Sequence, residues 1–305
     1  MGKIEYSVIV LLVICSCLCV SGEEVGVNME YSDEKSLEYF YITELAYCSI
    51  DRVKRWDIGK LLEPLKEWRL LYCVSHKTVQ TDYEISSMVI IANDKEKLIS
   101  VAFRGSSHKQ IVDEVVYSGD VPYLLHPIPD AVALEYFYTN YDQLFRQDLI
   151  NHLQFYQKEM PQYSYLFTGH SLGGAITVLA ALDLYLLNLM DQPPLVYTYG
   201  QPRVSNPTLS LLFNEKIPFF YRVVHNRDLV PHVPPCMGLS FCKLEEVEEN
   251  GYLWDPWHSG REVWYNDEMT SYVLCSSETS EDPECSNSRI FNLSTEDHNS
   301  YFKNR

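Results

Sequence analysis

Gly169-His170-Ser171-Leu172-Gly173-Gly174 is the stretch of this chain best suited to covalent chemistry. It is a G-x-S-x-G pentapeptide set between an apolar run (Tyr163, Tyr165, Leu166, Phe167) and a long apolar helical pattern, which places the serine on a tight strand-to-helix turn. On such a turn the hydroxyl points away from the sheet and the next backbone N–H points into the same space. That geometry suits attack on a carbonyl carbon and capture of the oxyanion that results. Gly169 and Gly173 flank the serine where a Cβ would collide with strand and helix, and Gly174 with Ala175 lets the helix lie close to the sheet. The competing reading is a small-residue turn with an incidental serine; a strand before it and a helix after it weigh against that.

A serine nucleophile needs three further parts. A histidine must take its proton, a carboxylate must hold the other ring nitrogen, and two N–H groups must receive the oxyanion. Asp228 follows the apolar run Phe219–Val224 and precedes Leu229-Val230-Pro231, so it falls just past the carboxyl end of a strand, where ligands gather in open parallel sheets. Asp255, Asp267 and Asp297 are weaker rivals. Two histidines, His258 and His298, lie downstream in the order serine, aspartate, histidine. His258 opens a segment of alternating apolar character (Val263, Trp264, Tyr265), which suits structural hydrogen bonding, whereas His298 lies in a polar loop. His225 and His232 are expected to brace the Asp228 loop, and His170 to pack with its ring turned away from the nucleophile. Leu172 N–H is one oxyanion donor by virtue of the turn, and the loop Phe103-Arg104-Gly105-Ser106 is placed to supply the second.

The elements that must hold these groups are legible as alternating strands and helices. Leu37–Tyr47 has a helical apolar pattern; Ser87–Ala92 and Leu98–Phe103 read as strands about the turn Asn93-Asp94; Val132–Tyr141 reads as an aromatic-rich helix. The serine strand follows, then a helix from Leu172 to about Met190, a strand at Leu195–Tyr199, a short helix after Pro207 and a strand at Phe219–Val224. The helix after Ser171 is apolar nearly all round, as a helix at the centre of a domain should be. The alternation predicts an α/β fold: one doubly wound, mostly parallel sheet covered by helices on both faces.

The 305 residues suffice for one large domain, and a formal net charge of −18 makes nucleic acid an unlikely partner, because a phosphate-binding surface is basic. Lys3, the apolar run Val8–Val20 and the small residues before Glu23 fit a signal peptide over residues 1–22, cleaved after Gly22. That run is shorter than the roughly 20 apolar residues a transmembrane span needs, and no later stretch is long enough, so a secreted, extracellular chain of residues 23–305 is expected. Of nine cysteines, Cys15, Cys17 and Cys19 leave with the leader. The remaining six suggest disulfides, Cys236–Cys242 and Cys275–Cys285 closing short loops and leaving Cys48 for Cys73. No close Cys–His cluster has zinc-ligand spacing. Asn292-Leu293-Ser294 is a glycosylation sequon.

At this point the chain resembles the class 3, fungal-type lipases of the α/β-hydrolase fold, over roughly residues 35–305. The resemblance rests on VAFRGSS at 101–107, YLFTGHSLGGA at 165–175, YGQPRVSN at 199–206 with HNRDLVPHVPP at 225–235, HSGREVWY at 258–265 and DHNSYF at 297–302. It implies Ser171, Asp228 and His298 as the catalytic groups and Ser106 with Leu172 as the oxyanion hole. It also implies a helical lid in which Ile111, Val112, Val115 and Val116 share one face, with Asp113 and Glu114 opposite. Two departures stand out: the lid stretch lacks the family's tryptophan, and its V-H-x-G-F segment is Ala133-Leu134-Glu135-Tyr136-Phe137 here. The activity implied is that of a serine ester hydrolase acting on lipid esters such as triacylglycerols at an oil–water interface, with no metal or organic cofactor. A feruloyl or short-chain esterase and a phospholipase A1 would use the same groups, and a non-catalytic lipid or surface binder could share the scaffold.

Overall fold

Ser32 starts the first helix, α1 (Asp33–Tyr47), its hydroxyl accepting the Lys35 N–H while Asp33 and Glu34 sit at the positive end of the helix dipole. This computed structural model describes residues 29–79, 85–106, 119–236, 242, 255–289, 291–303 and 305. After the short α2 (Ile50–Lys54) come the strands β1 (Trp68–Lys77), β2 (Ile85–Asn93) and β3 (Leu98–Phe103), then the small pair β4 (Asp120–Pro122) and β5 (Val132–Leu134). Next are α3 (Glu135–Asn140), a π-helical turn at Tyr141–Phe145 and α4 (Arg146–Glu159). The chain continues through β6 (Ser164–His170), α5 (Leu172–Leu186), β7 (Leu195–Tyr199), α6 (Pro207–Lys216) and β8 (Phe220–His225). It closes with β9 (Arg261–Tyr265), β10 (Tyr272–Leu274) and α7 (Thr295–His298).

The large sheet has the order β1-β2-β3-β6-β7-β8-β9-β10. From β3 to β9 the neighbours run parallel; β1, β2 and β10 add on antiparallel at the two ends. The sheet is therefore mixed, with its parallel part central. Its two faces are read directly from β2: Met88, Ile90 and Ala92 pack with α5 on one side, and Val89 and Ile91 pack with α1 and Trp68 on the other. This is the two-faced α/β arrangement that the alternation of elements predicts.

Helix α5 is buried along nearly its whole length, including Asp183. A carboxylate there is tolerable only if paired. Arg146 Nε reaches it at 2.8 Å, Tyr141 donates its hydroxyl at 2.6 Å, and His126 Nε2 lies 2.8 Å away.

Several expectations need correction. Val132–Tyr141 is not one helix. Val132–Leu134 is a strand held between β4 and the segment Val204–Asn206, with Leu134 N–H bonded to Val204 O at 3.0 Å and Asn206 N–H to Val132 O at 3.1 Å. The helix after Ser171 ends at Leu186, four residues before Met190. Cys236–Cys242 and Cys275–Cys285 are bonded, but Cys48 and Cys73 are both free thiols: Cys48 caps α1, and Cys73 is buried in β1. The leader at 1–22 and the lid residues Ile111, Val112, Val115 and Val116 lie outside the described residues. Among the described residues, no helix is long and apolar enough to cross a membrane.

Candidate active site

The carboxyl ends of β3, β6, β7 and β8 lie side by side, with Phe103 level with Gly169, His170 with Tyr199, and Tyr199 with Val223. Ser171 follows β6 at φ 60°, ψ −129°. A non-glycine residue in that region is strained by about 1–3 kcal/mol and persists only where its surroundings fix it. Here Ser171 N–H is bonded to Tyr199 O at 2.9 Å, and its carbonyl accepts Gly174 N–H at 2.9 Å. The turn also needs the small residue after it: a Cβ on Gly173 would fall on the Phe103 carbonyl and 2.8 Å from the Arg104 carbonyl carbon.

Ser171 Oγ lies 2.9 Å from His298 Nε2, and His298 Nδ1 lies 2.9 Å from both oxygens of Asp228. All three residues are buried, Asp228 completely. Asp228 also accepts Val230 N–H at 2.9 Å and the Tyr301 hydroxyl at 2.7 Å. Burial alone would raise its pKa; the attraction of His298 and the hydrogen bonds from His298, Tyr301 and Val230 outweigh that and hold it below the usual carboxylate range. An ionised Asp228 keeps the proton on Nδ1, so Nε2 offers its lone pair to the serine hydroxyl. The arrangement can therefore deprotonate Ser171 as it attacks.

His298 stands on α7 rather than in an open loop. Ser294 caps that helix by accepting Asp297 N–H at 3.0 Å, and it is stitched to the Asp228 turn through Ser294 N–H to Arg227 O at 2.7 Å and Leu229 N–H to Ser294 O at 3.2 Å. Asp297 is a clamp in the same seam, accepting Asn226 Nδ2 at 2.9 Å and Arg227 N–H at 3.1 Å. His225 braces it from behind, its ring nitrogens 2.8 Å from Asp297 O and 2.7 Å from Asp267 O.

His258 stays outside this group. Its Nε2 bonds to Pro231 O at 2.7 Å and its backbone N–H to Glu281 at 2.9 Å; burial first, then Arg222, keeps its pKa well below the ordinary value. It belongs to a buried network in which Arg203 pairs with Glu281 and Arg222 with Glu262. His232 is buried beside that network, and desolvation lowers its pKa to about 4. Glu262 with Cys275 and Cys285 has metal-ligand donor types within 4.8 Å, but the two sulfurs form a disulfide and Glu262 is held by Arg222 and Ser286 N–H.

On the oxyanion side, Leu172 is the first residue of α5, where a backbone N–H has no partner within the helix. Ser106 follows the Phe103–Arg104 backbone that packs on Gly173, and its buried Oγ has no hydrogen-bond partner among the described residues. The loop is anchored by Arg104 N–H to Ser87 O at 2.9 Å.

Three residues of this region were not anticipated from sequence. Tyr301 lies within the DHNSYF segment, and its place beside His298 was a usable signal. Gly200 at φ 55° leaves room that a Cβ would take from Asp228 Oδ2 at 2.6 Å and His298 Nδ1 at 2.8 Å; no local pattern announces it. Tyr47 bonds to His170, 123 residues away in sequence. His170 packs as expected, and the ring it packs on is that of His298, with centroids 4.5 Å apart.

A parallel-centred sheet with a strained serine after β6, an aspartate after β8 and a histidine behind both defines a protein of the α/β-hydrolase fold. Residues 100–238 match the family model described as lipase (class 3). The chain is 30% identical to a lipase of Rhizopus niveus over 269 residues, 87% of this chain and 62% of that one. It is 32% identical to a lipase of Rhizomucor miehei over 250 residues, 81% of this chain and 60% of that one. The chain thus spans about three-fifths of the length of these relatives. A solved structure reported as a triacylglycerol lipase with a serine protease triad at its catalytic centre superposes with a TM-score of 0.71 at 29% identity, covering 88% of this chain and 93% of that one. Residues 100–238 thus resemble the class 3 lipases, and the fold that carries them is that of the solved lipase structure.

Proposed function

We propose that this protein is a secreted serine ester hydrolase whose substrates are triacylglycerols and related lipid esters. One observation carries the reading: a serine hydroxyl on a strained turn, 2.9 Å from an imidazole whose other nitrogen is held by a buried, ionised aspartate. Ser171 attacks the ester carbonyl as His298 Nε2 takes its proton, and Asp228 stabilises the imidazolium. The negative charge on the carbonyl oxygen is received by the N–H of Leu172 and by Ser106, through its N–H and hydroxyl. His298 then protonates the leaving alcohol, and a water molecule, deprotonated by the same nitrogen, releases the fatty acid from Ser171.

Lipid esters are favoured because the similar proteins are named lipases and one is reported as a triacylglycerol lipase. In this reading the stretch bearing Ile111, Val112, Val115 and Val116 covers the cleft in water and turns toward an oil–water interface, and the leader at 1–22 exports residues 23–305. Asn292, exposed ahead of α7, is the glycan acceptor of the exported chain.

A hydrolysis panel from short soluble esters to phospholipid and emulsified triacylglycerol tests the reading. Emulsified triacylglycerol should be cleaved, and Ser171→Ala should lower that rate by about 10⁶-fold. Preference for soluble esters moves the assignment to an esterase, and sn-1 cleavage of phospholipid moves it to a phospholipase A1. No hydrolysis of any ester by folded protein overturns it in favour of a binder.

A further inference from the structure

We propose that Tyr47 and His170 are positioning residues, a hydrogen-bonded brace that fixes the oxyanion loop relative to the catalytic imidazole of His298. The proposal rests on the acyl-transfer reading above. Its polarity follows from one end. His170 Nε2 lies 2.9 Å from the backbone carbonyl of His298, which can only accept, so Nε2 carries the proton. Nδ1 is then an acceptor, and Tyr47, 2.8 Å away, donates its hydroxyl hydrogen to it. The Tyr47 oxygen in turn lies directly against Gly105 of the oxyanion loop. Both donors point the same way, from the tyrosine under the oxyanion loop to the residue that accepts the serine proton.

The contacts around the chain are close. A Cβ on Gly105 would fall on the Tyr47 hydroxyl and 2.6 Å from His170 O, so the loop is seated on both residues. The Arg104 guanidinium lies over the Tyr47 ring, 5.6 Å from its centroid. The His170 ring lies against that of His298, 4.5 Å between centroids and 28° from parallel. Desolvation first, then the nearby His298 charge, lowers the His170 pKa to about 3. At working pH the ring behind His298 is therefore neutral, and the imidazolium formed in each turnover meets no second cation. The hydroxyl hydrogen of Tyr47 and both ring nitrogens of His170 are engaged within the chain, leaving no donor among them to recognise substrate. Catalytic groups need placement to about 0.5 Å, and charge develops at both ends of this brace in the same step.

The test uses Tyr47→Phe, His170→Phe, the double variant and His170→Gln, with a short soluble ester and a melting curve for each. Tyr47→Phe should fold and lose about 10- to 100-fold in kcat with KM within about twofold. The double variant should be no slower than the slower single one, because both cut the same chain. His170→Gln, which can donate to the His298 carbonyl and accept from Tyr47, should recover part of the rate. A folded Tyr47→Phe protein with wild-type kcat overturns the brace, even if His170→Phe does not fold. So do losses that multiply in the double variant, or a change confined to KM. Undiminished hydrolysis by Ser171→Ala would instead refute the acyl-transfer reading, which keeps the two failures apart.

Discussion

Replacing Asp228 by asparagine preserves the shape of the side chain and removes the charge that keeps the proton on His298 Nδ1. An amide that donates to Nδ1 would move that proton to Nε2, leaving nothing to accept the serine hydrogen. A folded Asp228→Asn protein should therefore lose ~10⁴-fold in kcat on any ester, measured at saturating substrate. Tyr301→Phe removes one neighbour of the same carboxylate, the hydroxyl at 2.7 Å. A hydrogen bond to a charged group contributes about 1.5–3 kcal/mol, so a fall in stability of that order should accompany a smaller loss of rate, read by denaturant titration and initial rates. A Tyr301→Phe protein as stable as wild type would show that Asp228 does not depend on it. Among single residues, those in local motifs were legible: Ser171 by its glycines, Asp228 by its position after a strand, and His298 by the segment around it. Tyr47 and Gly200 were not, because their importance lies in contacts with residues far off in the chain.

At the scale of elements, β6, the turn and α5 form one unit whose helix presses on the β3 loop at Gly173. Gly173→Ala must push back the Phe103 carbonyl and with it Ser106. The expected loss is about 10²–10³-fold in kcat, as when one oxyanion donor is removed. Wild-type turnover by Gly173→Ala would mean that the β3 loop does not serve the reaction. The Cys275–Cys285 loop carries Glu281, whose carboxylate takes both arms of the Arg203 fork at 2.8 Å. Opening the loop with Cys275→Ser and Cys285→Ser should cost about 2–4 kcal/mol of stability with kcat of the folded fraction unchanged, as measured by melting and active-site titration. Among the elements read correctly are those whose burial is written in local periodicity, β2, β3, β6, β7, β8 and, but for its last turn, α5. Val132–Leu134 was misread because its aromatic continuation (Tyr136, Phe137, Tyr141) suits a helix, whereas its strand partners are Asp120–Pro122 and Val204–Asn206, supplied by the fold. α4 went unread although Leu149, Leu153 and Tyr156 fall at helical spacing; the charged and amide residues between them obscured a single narrow stripe. The Cys48–Cys73 pairing failed because it rested on elimination, which carries no geometry.

For the whole molecule, the buried neutral histidines set the response to acid. Besides His170, described above, His258 and His232 have pKa values depressed by burial, His258 well below the ordinary value and His232 to about 4. In the unfolded chain each binds its proton near 6.5. Between about pH 6.5 and 4 the unfolded state therefore holds more protons, and stability falls with pH by up to about 2.7 kcal/mol per unit from these two groups. The depressed carboxylates Asp228 and Glu281 extend the loss below about pH 4, where the unfolded chain protonates carboxylates that the native state keeps ionised. Urea unfolding at pH 7, 6 and 5 should show a steep decline; a flat profile would contradict the enclosure of both histidines. The net charge of −18 was legible at once and argued against nucleic acid, whereas the ion pairs that allow Arg203, Arg222, Glu262 and Glu281 to be buried exist only once distant segments meet. The direct test of a serine made nucleophilic by His298 is covalent capture with a fluorophosphonate, followed by peptide mapping of wild-type and His298→Ala protein. The expected result is one adduct, on Ser171, that disappears from the folded variant; an adduct on another residue, or equal labelling of Ser171 without the imidazole, would contradict it.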